Sequence, residues 1–216
     1  MKIISGDVCA AQGFSASGVH CGVRKNRTKK DLSLIYSEVP ATAAAVYTQN
    51  LVKGAPLTVT KNHIADGKAQ AIICNSGNAN TCNADGIEVA EKMSQLMAAE
   101  LGIRAEDMVV ASTGVIGQKL DVNIIASGIP ALKKELSRDG SAAAAEGIMT
   151  TDVALKEISV EYTVGGKTCR MGGIAKGSGM IHPNMATMLV FITTDVAISA
   201  QMLQKALSSD IQNTFN

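Results

Sequence analysis

Tryptophan is absent from the 216-residue sequence, and three phenylalanines and three tyrosines are its only aromatic residues. A nucleic-acid surface that works by base stacking needs more. An excess charge is missing too: 20 basic against 19 acidic residues leave +1, too little to neutralise a phosphate backbone. The two deficits exclude a nucleic-acid partner and point to a small molecule. No apolar run is fit to cross a bilayer. The longest stretch free of Asp, Glu, Lys and Arg, from Gly177 to Thr194, has 18 residues, but two Gly, one Pro, one Asn and three Thr interrupt it, and irregular backbone facing lipid leaves peptide groups unpaired. At the start, residues 1–10 carry only a short apolar patch broken by Gly6 and Asp7, without the long apolar region of a secretion signal. The protein is therefore expected to be cytoplasmic, with no membrane partner. Five cysteines, Cys9, Cys21, Cys74, Cys82 and Cys169, are odd in number and nowhere spaced Cys-x-x-Cys, which suits neither a disulfide framework nor a zinc site. Buried reduced thiols are the expectation. His20, His63 and His182 lack paired ligand spacing, so they read as ordinary polar or packing residues and no metal is expected.

A hydrophobic content of 46% with 18% charged residues belongs to a globular chain. At about 150 residues per domain the length allows one large domain or two small ones. Val89, Met93, Leu96, Met97 and Leu101 form a helical stripe over 85–101, closed by Gly102. Met108 to Ala111 is a short apolar run ending in Ser112-Thr113-Gly114, a buried strand feeding a loop. A helix is expected between Asp121 and Leu136, broken or restarted near Gly128 and Pro130 because an interior proline removes a hydrogen bond and clashes with the preceding turn. Alternation of Ile158, Val160 and Tyr162 over 156–164 predicts a half-buried strand, then a turn at Gly165-Gly166 and another strand. Residues 188–192 read as a further buried strand, and Ser199 can cap a helix containing Met202, Leu203, Ala206 and Leu207. Ala71 to Cys74 reads as a strand running into Asn75-Ser76-Gly77-Asn78-Ala79-Asn80, whose small and amide side chains favour turns. No linker divides the chain, so one α+β unit is expected; periodicity leaves the strand order open.

Two nucleotide motifs fail. Gly166-Lys167-Thr168 resembles the end of a P-loop, but Glu161 stands where that loop needs its first glycine. Gly177-Ser178-Gly179 has His182 at the third glycine position of a dinucleotide fingerprint. What survives is the crowded stretch from Lys176 to Leu189, KGSGMIHPNMATML. Glycines and a proline lead to Ala186 and then to Thr187 at the start of an apolar run, a pattern that holds a hydroxyl on a rigid element behind a sharply bending loop. The Thr187 hydroxyl can attack the Ala186 carbonyl in an N-to-O acyl shift, and hydrolysis of the ester leaves Thr187 as a new N-terminus. Its α-amine, with a reference pKa of about 7.7–8.0, is partly neutral near pH 7. An N-terminal threonine is thus nucleophile and base in one residue. Taken alone, a threonine opening a strand is as well read as a simple β-former.

The stretch from Lys176 to Asp195 closely resembles the cleavage-site signature of the ornithine acetyltransferase (glutamate N-acetyltransferase) family of arginine biosynthesis. Asn75-Ser76-Gly77-Asn78-Ala79-Asn80, Ser112-Thr113-Gly114-Val115-Ile116-Gly117 and Met149-Thr150-Thr151-Asp152 resemble further family segments in the family's order, so the likeness spans nearly the whole chain. It implies an α+β fold of layered β-sheets flanked by helices, of the N-terminal-nucleophile type shared with certain aminopeptidases. It implies cleavage between Ala186 and Thr187, giving a prospective α chain over 1–186 and the beginning of a β chain over 187–216, the remainder absent from a truncated sequence. The implied reaction is a ping-pong transfer of an acetyl group from N2-acetylornithine to glutamate, with acetyl-CoA as a further donor in some members and no cofactor. Position by position, Thr187 is the implied nucleophile, Thr113 and Gly114 the oxyanion-hole donors, and Thr150, Lys176 and Thr187 the substrate contacts, with Thr151 and Asp152 competing for the place of Thr150. Without the resemblance, Thr113-Gly114 reads as a strand end and Lys176 as a solvated surface lysine. The implied assembly is an α2β2 heterotetramer of cleaved chains. Two other functions remain open: an N-terminal-nucleophile aminopeptidase or amidohydrolase, and a non-catalytic fragment.

Overall fold

The computed structural model describes residues 1–25, 28–177 and 188–214. Among the described residues, eight strands form two four-stranded sheets. The first to be completed contains β2 (Phe14–Val19), β3 (Leu32–Thr42), β4 (Lys68–Asn75) and β5 (Met108–Ser112) in that order; β2–β3 and β3–β4 are antiparallel, and β4–β5 is parallel. The second contains β1 (Lys2–Ile4), β6 (Lys156–Val164), β7 (Lys167–Lys176) and β8 (Leu189–Thr194), antiparallel throughout. The α+β reading holds.

Period-two alternation explains why the β2–β5 sheet is covered on both faces. Leu32, Leu34, Ile73, Met108 and Val110 point to one side, into a core made with Val59 of α1 (Ala55–His63), Val89, Met93 and Met97 of α2 (Gly86–Leu101), and Ile125, Ile129 and Leu132 of α3 (Val122–Lys134). Ala16, Ile35, Cys74 and Ala111 point the other way, onto Ala144, Ala145 and Ile148 of α4 (Ser141–Ile148) and Ile174 of the second sheet. The order of layers is helices, sheet, a second core holding α4, and sheet. The free edge of β5 is closed by α1: the buried Thr60 hydroxyl donates to the Val110 carbonyl at 2.7 Å and accepts the Val110 N–H at 2.9 Å.

Local chemistry sets most element ends as the sequence predicts. Gly102, at φ 74°, caps α2. The Asp121 carboxylate accepts the Asn123 N–H at the start of α3, and the Ser199 hydroxyl accepts the Met202 N–H at the start of α5 (Ala200–Asp210). Gly165 and Gly166, both at positive φ, make the β6–β7 turn. The expected break in α3 does not occur. Pro130 lies within a continuous helix on its exposed face, where a carbonyl deprived of its N–H partner can turn to water.

The alternation in β6 is real, but its apolar side is not the buried one. Ile158 is 57% exposed and Ser159 1%. The cause is the backbone of the 3-10 turn Asp7–Cys9, which lies directly on this sheet: a Cβ added at Gly172 would sit 1.6 Å from the Asp7 carbonyl oxygen. Only small residues fit beneath it, and the cross-strand row Ser159, Gly172, Thr193 supplies them. Ser159 accepts the Asp7 N–H (3.1 Å) and donates to the Ile4 carbonyl (2.8 Å), while Thr193 donates to the Val8 carbonyl (2.7 Å). Ile3, Ile158, Val164 and Ile192 are left on the surface.

The cysteines also divide. Cys9, Cys74 and Cys169 are buried as expected, but Cys21 is half-buried and Cys82 exposed, because both lie in loops beyond the sheet cores. Desolvation pushes the thiols of Cys9 to about 11 and of Cys21 and Cys74 to about 12. Among the described residues no helix is long and apolar enough to cross a membrane.

Thr60→Val keeps the shape of the α1–β5 contact and strips both Val110 backbone groups of their partner. Unpaired buried groups cost about 1–3 kcal/mol, so urea unfolding should show a loss of that size.

Candidate active site

The carboxyl ends of β4, β5 and β7 meet where the two sheets face each other. Asn75, the last residue of β4, organises the first loop: its side-chain oxygen accepts the N–H of Gly77 (3.3 Å) and Asn78 (3.0 Å), and its amide donates to the Ser112 hydroxyl (2.7 Å). The loop after β5 is joined to it backbone to backbone. Thr113 N–H donates to the Asn75 carbonyl (2.9 Å), Val115 N–H to Gly77 (3.3 Å), and Ala79 N–H to Val115 (2.9 Å). Asn78 adds a bond from its side-chain amide to the Gln118 carbonyl (2.9 Å). The amide-rich segment 75–80 is thus an ordered frame for Thr113 and Gly114. Gly114 needs to be glycine twice over: its φ is +131°, and a Cβ would lie 2.5 Å from the Gly77 backbone.

Lys176 closes the site from the opposite sheet. It is the last residue of β7, points inward from the same face as Gly172 and Ile174, and is only 1% exposed. It is not a solvated surface lysine. Its Nζ donates to the Thr113 hydroxyl at 3.1 Å, a buried bridge between residues 63 positions apart in sequence. Burial pulls the proton affinity of the ammonium down; Asp152 and Cys74 act against that pull, and Arg24 and Lys156 with it.

Thr150 follows α4 and is half-buried. Its neighbour Asp152 ties the remaining pieces together, accepting the N–H of Thr150 (3.3 Å), the N–H of Gly177 (2.7 Å) and the Lys156 ammonium (2.6 Å). Burial pushes the Asp152 carboxyl up, but the bonds from Lys156, Gly177 and Thr150, together with the Lys156 charge, outweigh it and hold the group below its ordinary 3.8. Four of the residues singled out in the sequence, Thr113, Gly114, Thr150 and Lys176, are therefore brought to one place by three separate chain segments. Ala186 and Thr187 lie outside the described residues. His63 bonds to the Met108 carbonyl (2.9 Å) and Glu91 (3.2 Å), His20 to the Lys29 carbonyl (2.9 Å), and His182 falls outside the described residues. Among the described residues no group of three His, Cys, Asp or Glu is placed to hold a metal ion.

The ArgJ family model matches residues 15–216. This chain belongs to the ArgJ family. The arginine biosynthesis bifunctional protein ArgJ of Symbiobacterium thermophilum is 48% identical over all of this chain, which covers 54% of that protein; the ArgJ of Bacillus subtilis is 48% identical over 99% of this chain and 52% of its own length. The chain spans about half the length of the curated relatives it matches. Among solved structures, the ArgJ of Bacillus halodurans aligns with a TM-score of 0.80 at 48% identity, over 85% of this chain and 97% of that one. The ornithine acetyltransferase of Mycobacterium tuberculosis, solved with ornithine, aligns with 0.77 at 31% identity, over 87% and 99%. An L-aminopeptidase D-Ala-esterase/amidase of Ochrobactrum anthropi, described as a variant of the Ntn hydrolase fold, aligns with 0.59 at 13% identity over 100% of this chain and 70% of that one. That last likeness shows the fold alone, and it is the N-terminal-nucleophile type that the sequence resemblance implies.

Within this ArgJ-family site, sequence reading did not single out Asn75 and Asn78 as a frame, nor the loop that Asp31 organises. The buried Asp31 carboxylate accepts the N–H of Cys21 (2.7 Å), Gly22 (3.1 Å) and Arg24 (2.8 Å). The available signal was a lone acid immediately ahead of the apolar run Leu32–Ser33–Leu34–Ile35, a place where burial forces a carboxylate to find donors.

Two outcomes follow from this geometry. Gly114→Ala should break the junction of the 75–80 and 112–118 loops, because the added methyl group meets the Gly77 backbone at a φ that disfavours any side chain; strain of this kind costs about 1–3 kcal/mol, and the melting temperature should fall accordingly. Asp152 has a depressed folded-state pKa, so its stabilisation is present above 3.8 and is lost as pH falls through the lower folded value. Asp152→Asn should accordingly cost about 1–3 kcal/mol at neutral pH, and its difference from wild type in denaturant titrations should shrink below about pH 4.

Proposed function

We propose that the whole protein is a glutamate N-acetyltransferase/ornithine acetyltransferase of arginine biosynthesis, moving an acetyl group from N2-acetylornithine to glutamate through an acetyl-Thr187 intermediate. The observation that carries this reading is the buried contact of Lys176 with Thr113 beside Gly114. Acyl transfer builds negative charge on a carbonyl oxygen, and preorganised donors for that charge are worth about 2.7–4 kcal/mol each. The Thr113 hydroxyl accepts a hydrogen bond from Lys176 and is free to donate its own proton in another, so it and the Gly114 N–H are suited to an oxyanion. The Lys176 ammonium polarises that hydroxyl.

Thr187 then acts as nucleophile. Its α-amine takes the hydroxyl proton as the oxygen attacks the acetyl carbonyl, the tetrahedral intermediate collapses, and ornithine leaves with the proton. Glutamate's neutral amine attacks the acetyl ester in turn, releasing N-acetylglutamate and the free threonine. Thr150 and Lys176 contact substrate. Acetyl-CoA fits the same first step as an alternative donor, and no cofactor takes part.

Cleavage between Ala186 and Thr187 precedes this chemistry and divides the protein into an α chain over 1–186 and a β chain opening at 187, paired in an α2β2 heterotetramer in the cytoplasm. Chain lengths among the relatives support it. Residues 1–186 are 86% of this sequence, 186 of 216, and 85–87% of it accounts for 97–99% of the two solved relatives' chains, whereas curated full-length relatives are only about half covered. A polypeptide severed at this bond has that proportion.

Intact-mass measurement and N-terminal sequencing of the full-length protein should find a polypeptide beginning Thr-Met-Leu, and Thr187→Ala should abolish both the break and acetyl transfer. Full turnover in an uncleaved Thr187→Ala protein would refute the proposal.

A further inference from the structure

Arg24 stands at the edge of this site without a role in the chemistry above. Its backbone is fixed, because its N–H donates to the fully buried Asp31 carboxylate at 2.8 Å. Its side chain is fixed as well: Nε donates to the Ser76 carbonyl at 3.0 Å, which pins the guanidinium to the loop framing Thr113 and Gly114. Yet Nη2 is buried and has no hydrogen-bond partner among the described residues, and neither has the buried hydroxyl of Ser76. The two unpaired atoms belong to residues bonded directly to each other.

Buried polar atoms are nearly always paired, and a charged donor left without an acceptor costs more than a neutral one. Burial lowers the proton affinity of Arg24, while Asp31, Glu146 and Asp152 raise it; a guanidinium remains charged under any such balance. None of those three carboxylates bonds Nη2: Asp31 is occupied by backbone N–H groups and Asp152 by Lys156, Gly177 and Thr150. The charge of Arg24 also works against that of Lys176. Two cations that oppose each other at one site, one committed to Thr113 and the other with a free nitrogen, form an electrostatic arrangement that an anion completes. Nη2 and the Ser76 hydroxyl offer two donors, the number that the two oxygens of a carboxylate accept.

We propose that Arg24, with Ser76, binds the carboxylate of the amino-acid substrate and so distinguishes free amino acids from their amides. This rests on the transfer reading for the identity of the substrate, not for the anion preference itself. Lys176 is thereby left to Thr113 and the developing oxyanion, and the carboxylate is read by a planar group better matched to it than an ammonium.

The test is calorimetric titration of the full-length protein with ornithine and with ornithinamide, which replaces the carboxylate by a neutral amide. Wild type should prefer ornithine by at least about tenfold, Arg24→Gln should bring the two within about threefold, and Arg24→Lys should keep an intermediate preference. Melting curves report whether each variant is folded. If Arg24→Gln does not fold, Ser76→Ala serves in its place, with an expected fall in preference of about two- to fivefold. A preference absent from wild type, unchanged in these variants, or lost only through equal weakening of both ligands overturns the proposal; an unchanged ratio is also the result if another part of the full-length chain pairs Nη2. Acetyl transfer from N2-acetylornithine to glutamate, assayed on the same wild-type protein, separates the two readings. Transfer with an Arg24-independent ratio sinks this proposal alone, whereas an Arg24-dependent ratio without transfer sinks the transferase reading alone.

Discussion

A lysine held between two sheets is the constraint around which the rest of this molecule is arranged. Lys176 is buried at the inner end of β7, and its ammonium reaches the hydroxyl of Thr113 across the interface. A charge in that position is costly to desolvate, and it persists because opposing charges and a fixed acceptor surround it. Asp152 supplies the largest opposing charge effect, and it does so from a position locked by three hydrogen bonds. The acceptor is fixed in turn by Asn75 and by the loop pair that Gly114 allows to close. Removing any of these leaves the buried cation with a poorer environment.

The same constraint explains the division of labour between the sheets. The β2–β5 sheet has apolar residues on both faces and carries the main cores, so it provides a stiff base for the loops after β4 and β5. The β1–β6–β7–β8 sheet has a thinner inner face, lined by small residues where the Asp7–Cys9 backbone crosses it and by Ile174 and Lys176 further along. A strand end packed on a stiff frame holds its side chain more closely than a loop does.

Much of this was legible in the sequence. The stripe of α2 with its Gly102 cap, the β6–Gly165-Gly166–β7 hairpin, the β5 run and the Ser199 cap are local patterns, and local patterns were enough. The residues Thr113, Gly114, Thr150 and Lys176 were reached through resemblance, since nothing in their spacing says that they meet. Where the reading went astray, the cause was non-local. Pro130 is tolerated because of which side of α3 meets water, and the apolar side of β6 faces outward because a distant turn occupies the other. Asp31 and Arg24 carry no motif; their importance comes from burial and from the bonds they make after folding.

The inverted strand has a practical consequence for anyone redesigning this protein. Ranking positions by hydropathy would choose the serine and threonine of the inner row as harmless places to mutate and would protect Ile158 and Ile192 as core. The packing demands the reverse: solubility engineering belongs at Ile3, Ile158, Val164 and Ile192, whereas a single added methyl group at position 172 would pry the amino-terminal turn off its seat.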